Sequence, residues 1–273
     1  MKREIVIVGM GPGPVKYLTQ EARDVLLGAK EIYFRASDHP VYQWLRRRGK
    51  DCVSFDPLYA VPGVTYDKVY RTIISALIKA ARKSRVVYAL PGNPVVFEKT
   101  PAWLKEEAGG QGVAVRIVAG LSFLELAYQA LEIDPEAGVQ ILNGFNFGYY
   151  GDYPFTEKLG LLIGQVGFPT GKNPSAGDSN AAAITRALLN KFPADHPVTL
   201  VWSSGMPDYE VRTHTVPLKG LPAVKEYVRS LATLYVPPVR PPWEWVKKRA
   251  PRKGEKEFNR QAAKTAKGSP RKK

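Results

Sequence analysis

Along its first half the chain alternates short, unbroken apolar runs with longer stretches of helical spacing. Ile5 to Val8 is four apolar residues without a polar interruption, which predicts a strand buried on both faces. Thr19 then stands as N-cap to a helix on which Ala22, Val25, Leu26 and Ala29 recur at helical intervals. Glu31 to Arg35 reads as a strand, Val41 to Arg48 as a helix and Cys52 to Phe55 as a strand. Tyr66 to Lys83 reads as a longer helix with Tyr70, Ile73, Ile74, Leu77, Ile78 and Ala81 on one face. A strand at Arg85 to Leu90 follows. Thr100 and Pro101, as N-cap and first helical residue, open a helix that Gly109-Gly110 closes, and Val113 to Val118 is the next strand. Alternation at this spacing implies a mostly parallel sheet.

After Ala119-Gly120-Leu121-Ser122 a helix runs to about Ala130, and the pattern changes. Strands are expected at Gln140 to Leu142, Leu159 to Val166, Val198 to Ser203, Tyr209 to Val216 and Leu234 to Val236, with helices near Ser179 to Lys191 and Leu221 to Ser230. Gly144 to Asp152 and Phe168 to Ser179 have no period and read as loops, the first carrying exposed aromatics. The expected organisation is two α/β domains, 1–119 and 120–238, the second with a more mixed sheet, followed by a tail over 239–273.

Two of the apolar runs end in Gly/Pro loops, Gly9-Met-Gly-Pro-Gly13 and Pro91-Gly-Asn-Pro94. Such loops at the carboxyl edge of an α/β sheet let backbone amides and carbonyls approach a small molecule, so a ligand cleft is expected there. The first is no dinucleotide fingerprint, because Pro14 stands where the third glycine belongs, and no phosphate loop, because Val15-Lys16 replaces the terminal Lys-Ser/Thr.

Composition narrows the chemistry. The chain has 273 residues, 44% of them hydrophobic, enough for a real core. No apolar stretch approaches the ~20 residues of a membrane span, and Met1 to Glu4 runs directly into a strand, so a cytoplasmic protein without a membrane partner is expected. Cys52 is the only cysteine, and His39, His196 and His214 lack ligand spacing; no metal is expected. The net charge of +15 is uneven: 239–273 holds thirteen Lys/Arg against three Glu, which is ten of the fifteen charges.

Taken in order, Val8-Gly-Met-Gly-Pro-Gly13 with Leu18-Thr19, Ser37-Asp-His-Pro40, Tyr88-Ala-Leu-Pro-Gly-Asn-Pro-Val-Val96, Ala119-Gly-Leu-Ser-Phe-Leu124 and Leu234-Tyr-Val-Pro-Pro238 resemble the tetrapyrrole methylase family. Asp-His-Pro and the terminal Leu-Tyr-Val-Pro-Pro are similar to the branch whose methylase-like domain precedes a MazG-type pyrophosphohydrolase. The resemblance covers about Met1 to Pro238 and implies two α/β domains, a homodimer, and S-adenosylmethionine folded into the cleft between the domains. Position by position it implies that Pro12 borders the cofactor and that Pro91, Gly92, Asn93 and Val96 form the main loop around it. It further implies that Ser122 and Phe123 cover its methionine or ribose, and that Ile163 and Gly205 contact the adenosine. Asn93 departs from the aspartate of many members.

Methyl transfer from a sulfonium needs in-line approach and a nucleophile lone pair, and a base only where the acceptor is protonated. Tyr70, one turn after Tyr66, is the best-placed candidate base, but its place on the apolar stripe favours a core tyrosine with a satisfied hydroxyl. The lead expectation is a methyltransferase acting on a small-molecule acceptor. The alternatives are an RNA methyltransferase of the same fold using the basic tail, or a tether to another acidic partner, and a cofactor-binding sensor without turnover. Only Glu106-Glu107 pairs acids in the helical part of the first domain, so pyrophosphohydrolase activity is not expected.

Overall fold

The computed structural model describes residues 3–150, 153–167, 180–202, 211–224 and 232–240. In the first half, β1 (Glu4–Gly9), α1 (Gln20–Gly28), β2 (Glu31–Phe34), α2 (Pro40–Arg46), β3 (Asp51–Ser54) and the short α3 (Asp56–Tyr59) lead to α4 (Tyr66–Ala81). Then follow β4 (Val86–Leu90), α5 (Thr100–Gly109) and β5 (Ala114–Val118). The five strands form a parallel sheet in the order β3-β2-β4-β1-β5. Its centre explains the unbroken apolar run: Ile5 and Ile7 of β1 pack into a layer with Ile73, Leu77 and Leu104, whereas Val6 and Val8 pack into the opposite one with Leu26, Val41 and Leu45. Helices therefore cover both faces. The chain leaves β1 through α1 on one face and neighbouring β4 through α5 on the other, so the crevice of this sheet opens between the carboxyl ends of those two strands.

The second half runs α6 (Phe123–Leu131), β6 (Val139–Asn143), α7 (Gly144–Tyr150), β7 (Gly160–Gly164), α8 (Asn180–Leu189), β8 (Pro197–Trp202), β9 (Arg212–Pro217) and β10 (Thr233–Val236). Its sheet is β6-β7-β10-β8-β9, with β6 parallel to β7 and the other pairs antiparallel, the mixed sheet expected. Ile184 and Leu188 of α8 pack on Leu161, Ile163, Leu200 and Leu234. The fold is α/β, built as two such units.

Three local expectations change. Gly144–Tyr150 is a helix rather than a loop: Asn143 Oδ1 accepts from Phe145 N at 3.0 Å, and Phe147 is buried against Tyr153 and Phe155. Thr100 is the first helical residue of α5 instead of its N-cap, and its hydroxyl donates to Glu98 Oε1 at 3.1 Å. A 3-10 helix at Leu218–Ala223 stands where the last helix was expected to begin, and residues 225–230 of that expected helix lie outside the described residues. The expected Phe168 to Ser179 loop and nearly all of the basic tail lie outside the described residues. No helix among the described residues is long and apolar enough to cross a membrane.

Candidate functional site

Three loops at the carboxyl edge of the first sheet meet on their glycines. The loop after β1 and the loop after β4 form an isolated antiparallel bridge, Gly11 N donating to Gly92 O at 3.2 Å and Gly92 N to Gly11 O at 2.8 Å. A Cβ on Gly9 would come within 2.6 Å of Gly120 N and 2.7 Å of Gly92 O, and one on Gly120 would overlap the Gly92 carbonyl. The turn after β5 is thus packed backbone to backbone against the other two, a contact only glycine permits. Thr19 caps α1 by accepting from Ala22 N, and its hydroxyl donates to Ala119 O at 3.2 Å, tying the start of α1 to the same turn. Gly92 differs from Gly9 and Gly120: φ is +68° and, its chain neighbours aside, no atom of the described residues lies within 4 Å of where its Cβ would stand. That side of the loop after β4 is therefore open, whereas Gly9 and Gly120 are packed.

The residues named from sequence fall into distinct groups. Pro12 is buried beside Gly11, and Pro91, Gly92, Asn93 and Val96 share the loop after β4, Val96 N donating to Asn93 O at 3.1 Å. Asn93 is committed on both sides of its amide: Nδ2 donates to Gly120 O at 2.9 Å and Oδ1 accepts from Val95 N at 3.1 Å. A carboxylate could not make the first of these bonds. Ser122, 2% exposed, is the N-cap of α6 in a capping box: its Oγ accepts from Leu124 N, while Ser122 N donates to Glu125 Oε2. Phe123 and Phe97, ring centres 5.5 Å apart, lie over Gly164 at the end of β7 and join the two units. The Ile163 side chain belongs to the core of the second unit, so only its backbone borders that end. Gly205 lies outside the described residues.

Sequence reasoning missed two features. His39, given no role from the sequence beyond its place in Asp-His-Pro and its lack of ligand spacing, is 7% exposed, with Nε2 at 3.0 Å from Gly11 O and Nδ1 accepting from Val41 N at 3.3 Å. It caps α2 and braces the first glycine loop. Burial lowers its pKa to about 4, against the opposing pull of the Gly11 bond, so the ring is neutral and Nε2 carries the proton. The second is a polar cluster around Arg35, which follows β2. Its Nη1 pairs with Glu98, Nε donates to the Tyr59 hydroxyl at 3.0 Å and Nη2 to that of Tyr70 at 2.9 Å. Burial alone would lower the pKa of Arg35, but Glu98 and the surrounding hydroxyls raise it well above its ordinary value, so the guanidinium stays charged. A lone cation directly after a buried strand was the available signal; Glu98, 63 residues away, could not have been paired with it.

Tyr70 packs against the core layer under α4, and its hydroxyl belongs to that cluster. Its ring packs on Tyr66 and Trp103 at 6.1 and 6.2 Å, and burial raises its pKa far above neutrality, an effect that Arg35 opposes only in part. The phenol therefore keeps its proton and is suited to donate a hydrogen bond rather than to act as a base. The acceptor oxygens Gln165 Oε1 and Asn180 Oδ1, just beyond β7 and at the start of α8, are buried and have no hydrogen-bond partner among the described residues. Among the described residues no group of three or more His, Cys, Asp or Glu could hold a metal ion.

The chain is 32% identical over 240 residues to the uncharacterized protein YabN of Bacillus subtilis (88% of this chain, 46% of that one). It is 22% identical over 241 residues to a Lentinula edodes protein described as a methyltransferase and ribosomally synthesized cyclic peptide lentinulin A precursor (86% and 57%). The chain thus spans about half the length of these curated relatives. Its fold is that of the Thermus thermophilus uroporphyrin-III-C-methyltransferase, at 21% identity and a TM-score of 0.63 over 90% of this chain and 98% of that one. A structure of that enzyme complexed with S-adenyl homocysteine matches with a TM-score of 0.60 at 21% identity, covering 86% and 97%. A cobalt precorrin-4 methyltransferase matches with a TM-score of 0.60 at 15% identity, covering 86% and 95%. Residues 4–219 match the model of the Tetrapyrrole (Corrin/Porphyrin) Methylases, and the chain belongs to that family.

Proposed function

We propose that the protein is an S-adenosylmethionine-dependent methyltransferase acting on a small-molecule acceptor. The observation that carries this reading is the meeting of three glycine loops at the carboxyl edge of the first sheet, with the Cβ side of Gly92 left open, in a chain of this family; we read that open side as the wall of a cofactor cradle. The residues present fit the cofactor. Its amino groups and ribose hydroxyls are hydrogen-bond donors, and Gln165 Oε1 and Asn180 Oδ1 are buried acceptors to which no described residue donates. The loop Pro91 to Val96, with Pro12 and Phe123, would enclose the molecule, and Gly205 and the Ile163 backbone would border its adenosine. Because Asn93 and the Ser122 hydroxyl are already spent on holding loops and helix in place, the loop backbone would supply most of the polar contacts.

When bound, the cofactor supplies an electrophilic sulfonium methyl, for which this chain's task is placement and exclusion of water. Arg35 is neutralised by Glu98 and so does not repel a sulfonium. We also assign the chain to the branch that precedes MazG-type domains, on the strength of Asp38-His39-Pro40, and expect a cytoplasmic homodimer. Calorimetry with S-adenosylmethionine and S-adenosylhomocysteine tests the site. Transfer of labelled methyl into the small-molecule and RNA fractions of a lysate then separates the lead reading from an RNA methyltransferase, and both from a sensor that binds without turnover.

A further inference from the structure

The Arg35 cluster has a use that the glycine cradle does not require. Arg35 and Glu98 have side chains only 19% and 9% exposed, and Glu98 is held further by Thr100 N and Oγ1 at 3.4 and 3.1 Å. Glu98 takes Nη1. The other edge of the guanidinium, Nε with Nη2, is the fork that ordinarily receives both oxygens of a carboxylate. Here it receives two phenol oxygens, Tyr59 and Tyr70. Each accepts an N–H from the cation, so each must send its own proton elsewhere, and among the described residues neither proton has an acceptor. Both phenols are only partly buried. Tyr66, 6.1 Å from the Tyr70 ring, also meets Phe145 of α7 at 5.8 Å, so aromatic walls from both units border the spot.

We infer that the Tyr59 and Tyr70 hydroxyls form a two-donor clamp for one oxygen of the methyl acceptor, and that the acceptor is a neutral molecule with a carbonyl-type oxygen, an amide or ketone, near the atom methylated. The inference rests on the methyltransferase reading above. A carbonyl oxygen has two lone pairs and can take both protons. An acceptor carboxylate would bring a second anion to a cation that Glu98 has already cancelled, a costly arrangement in a partly buried site. The atom beside the carbonyl takes the methyl as the carbon–sulfur bond breaks and S-adenosylhomocysteine leaves; where that atom carries a proton, the proton passes to water, and the charge that grows meanwhile on the clamped oxygen meets two phenols backed by a guanidinium, placed to stabilise it. The aromatic walls suit a flat, largely apolar body.

The test uses analogues of S-adenosylhomocysteine in which nitrogen replaces sulfur and carries either an acetonyl arm or the isosteric 2-methylallyl arm, each also prepared with one extra methylene. By calorimetry the carbonyl arm should bind the wild-type protein about tenfold more tightly than its isostere at one of the two lengths, as expected for two hydrogen bonds. The ratio should fall to about threefold in Tyr59→Phe or Tyr70→Phe and to near one in the double variant, with S-adenosylhomocysteine affinity unchanged throughout. The single variants carry the test if the double variant does not fold. Equal affinity of both arms at both lengths, or a ratio that survives the substitutions, overturns the clamp while leaving the cofactor site standing. Failure of S-adenosylhomocysteine itself to bind the wild-type protein overturns the methyltransferase reading, and the clamp with it.

Discussion

A carbonyl oxygen buried at the apex of a loop must find donors, and Gly11 O finds two, Gly92 N at 2.8 Å and His39 Nε2 at 3.0 Å. Because burial lowers the His39 pKa from 6.5 to about 4, the folded state resists a proton that the unfolded chain accepts. The stability this residue contributes is whole above pH 6.5, falls as the pH drops below that value, and stops falling near pH 4, a loss of about 3 kcal/mol at 1.36 kcal/mol per unit. Urea unfolding at pH 5 and pH 7 should show the slope, and His39→Gln should flatten it while lowering stability at pH 7. An unchanged slope in that variant would assign the acid sensitivity to other groups. The glycines of the same loops separate by what a methyl group would meet. Gly92→Ala meets no atom and should cost only about 1 kcal/mol for its left-handed backbone, yet weaken S-adenosylhomocysteine binding by placing a methyl in the cradle. Gly120→Ala meets the Gly92 and Gly9 backbones and should lose several kcal/mol in thermal melts. The convergence of these loops was legible because Gly/Pro punctuation at strand ends is a local signal. Which glycine packs and which faces open space was not, since that depends on three segments spread over a hundred residues.

Between elements, the two units are locked where Phe97 and Phe123 cross β7. A Cβ on Gly164 would sit 2.6 Å from the Phe97 ring and 3.1 Å from that of Phe123, and Phe97 is already held at φ 55°. Gly164→Ala should therefore destabilise the protein by about 1–3 kcal/mol through overpacking. Phe97→Ala in the same chain should restore part of the loss, a non-additivity that a double-mutant cycle reads directly; additive costs would mean the ring moves aside freely. Element existence was largely legible. Thr19 and Ser122 announce helix starts through side chain to backbone bonds spanning two or three residues, and the unbroken run of β1 betrays a strand covered on both faces. Gly144–Tyr150 was not legible, because Gly-Phe-Asn-Phe-Gly-Tyr-Tyr has neither helical period nor propensity. Its helix depends on Phe147 finding Tyr153 and Phe155, tertiary packing that overrides the local preference. The Arg35 cluster escaped for the same reason, drawing on β2, α3, α4 and the loop after β4.

For the whole molecule, the distribution of charge separates a small-molecule enzyme from one that works on RNA. Ten of the fifteen net positive charges lie in 239–273, so the remaining chain carries only +5. Of the described cations named at the candidate site, Arg35 is paired with Glu98, and His39 is neutral above about pH 4. A polyanion would thus be held by the terminal segment and by counterion release, which makes affinity fall steeply with salt. A chain ending at Val246 loses twelve Lys/Arg and two Glu. If RNA is the substrate, that truncation should weaken binding to a short RNA duplex and flatten the plot of log affinity against log salt by about 0.9 for every phosphate the protein ceases to neutralise. S-adenosylhomocysteine affinity and the thermal midpoint should not move, because the loop glycines and the core clusters of the described residues all precede Val239. Filter binding at several salt concentrations decides the matter. Equal slopes for the full and shortened chains would remove the ground for an RNA methyltransferase and leave the small-molecule acceptor, oriented by Tyr59 and Tyr70, as the reading that accounts for where this chain puts its charge.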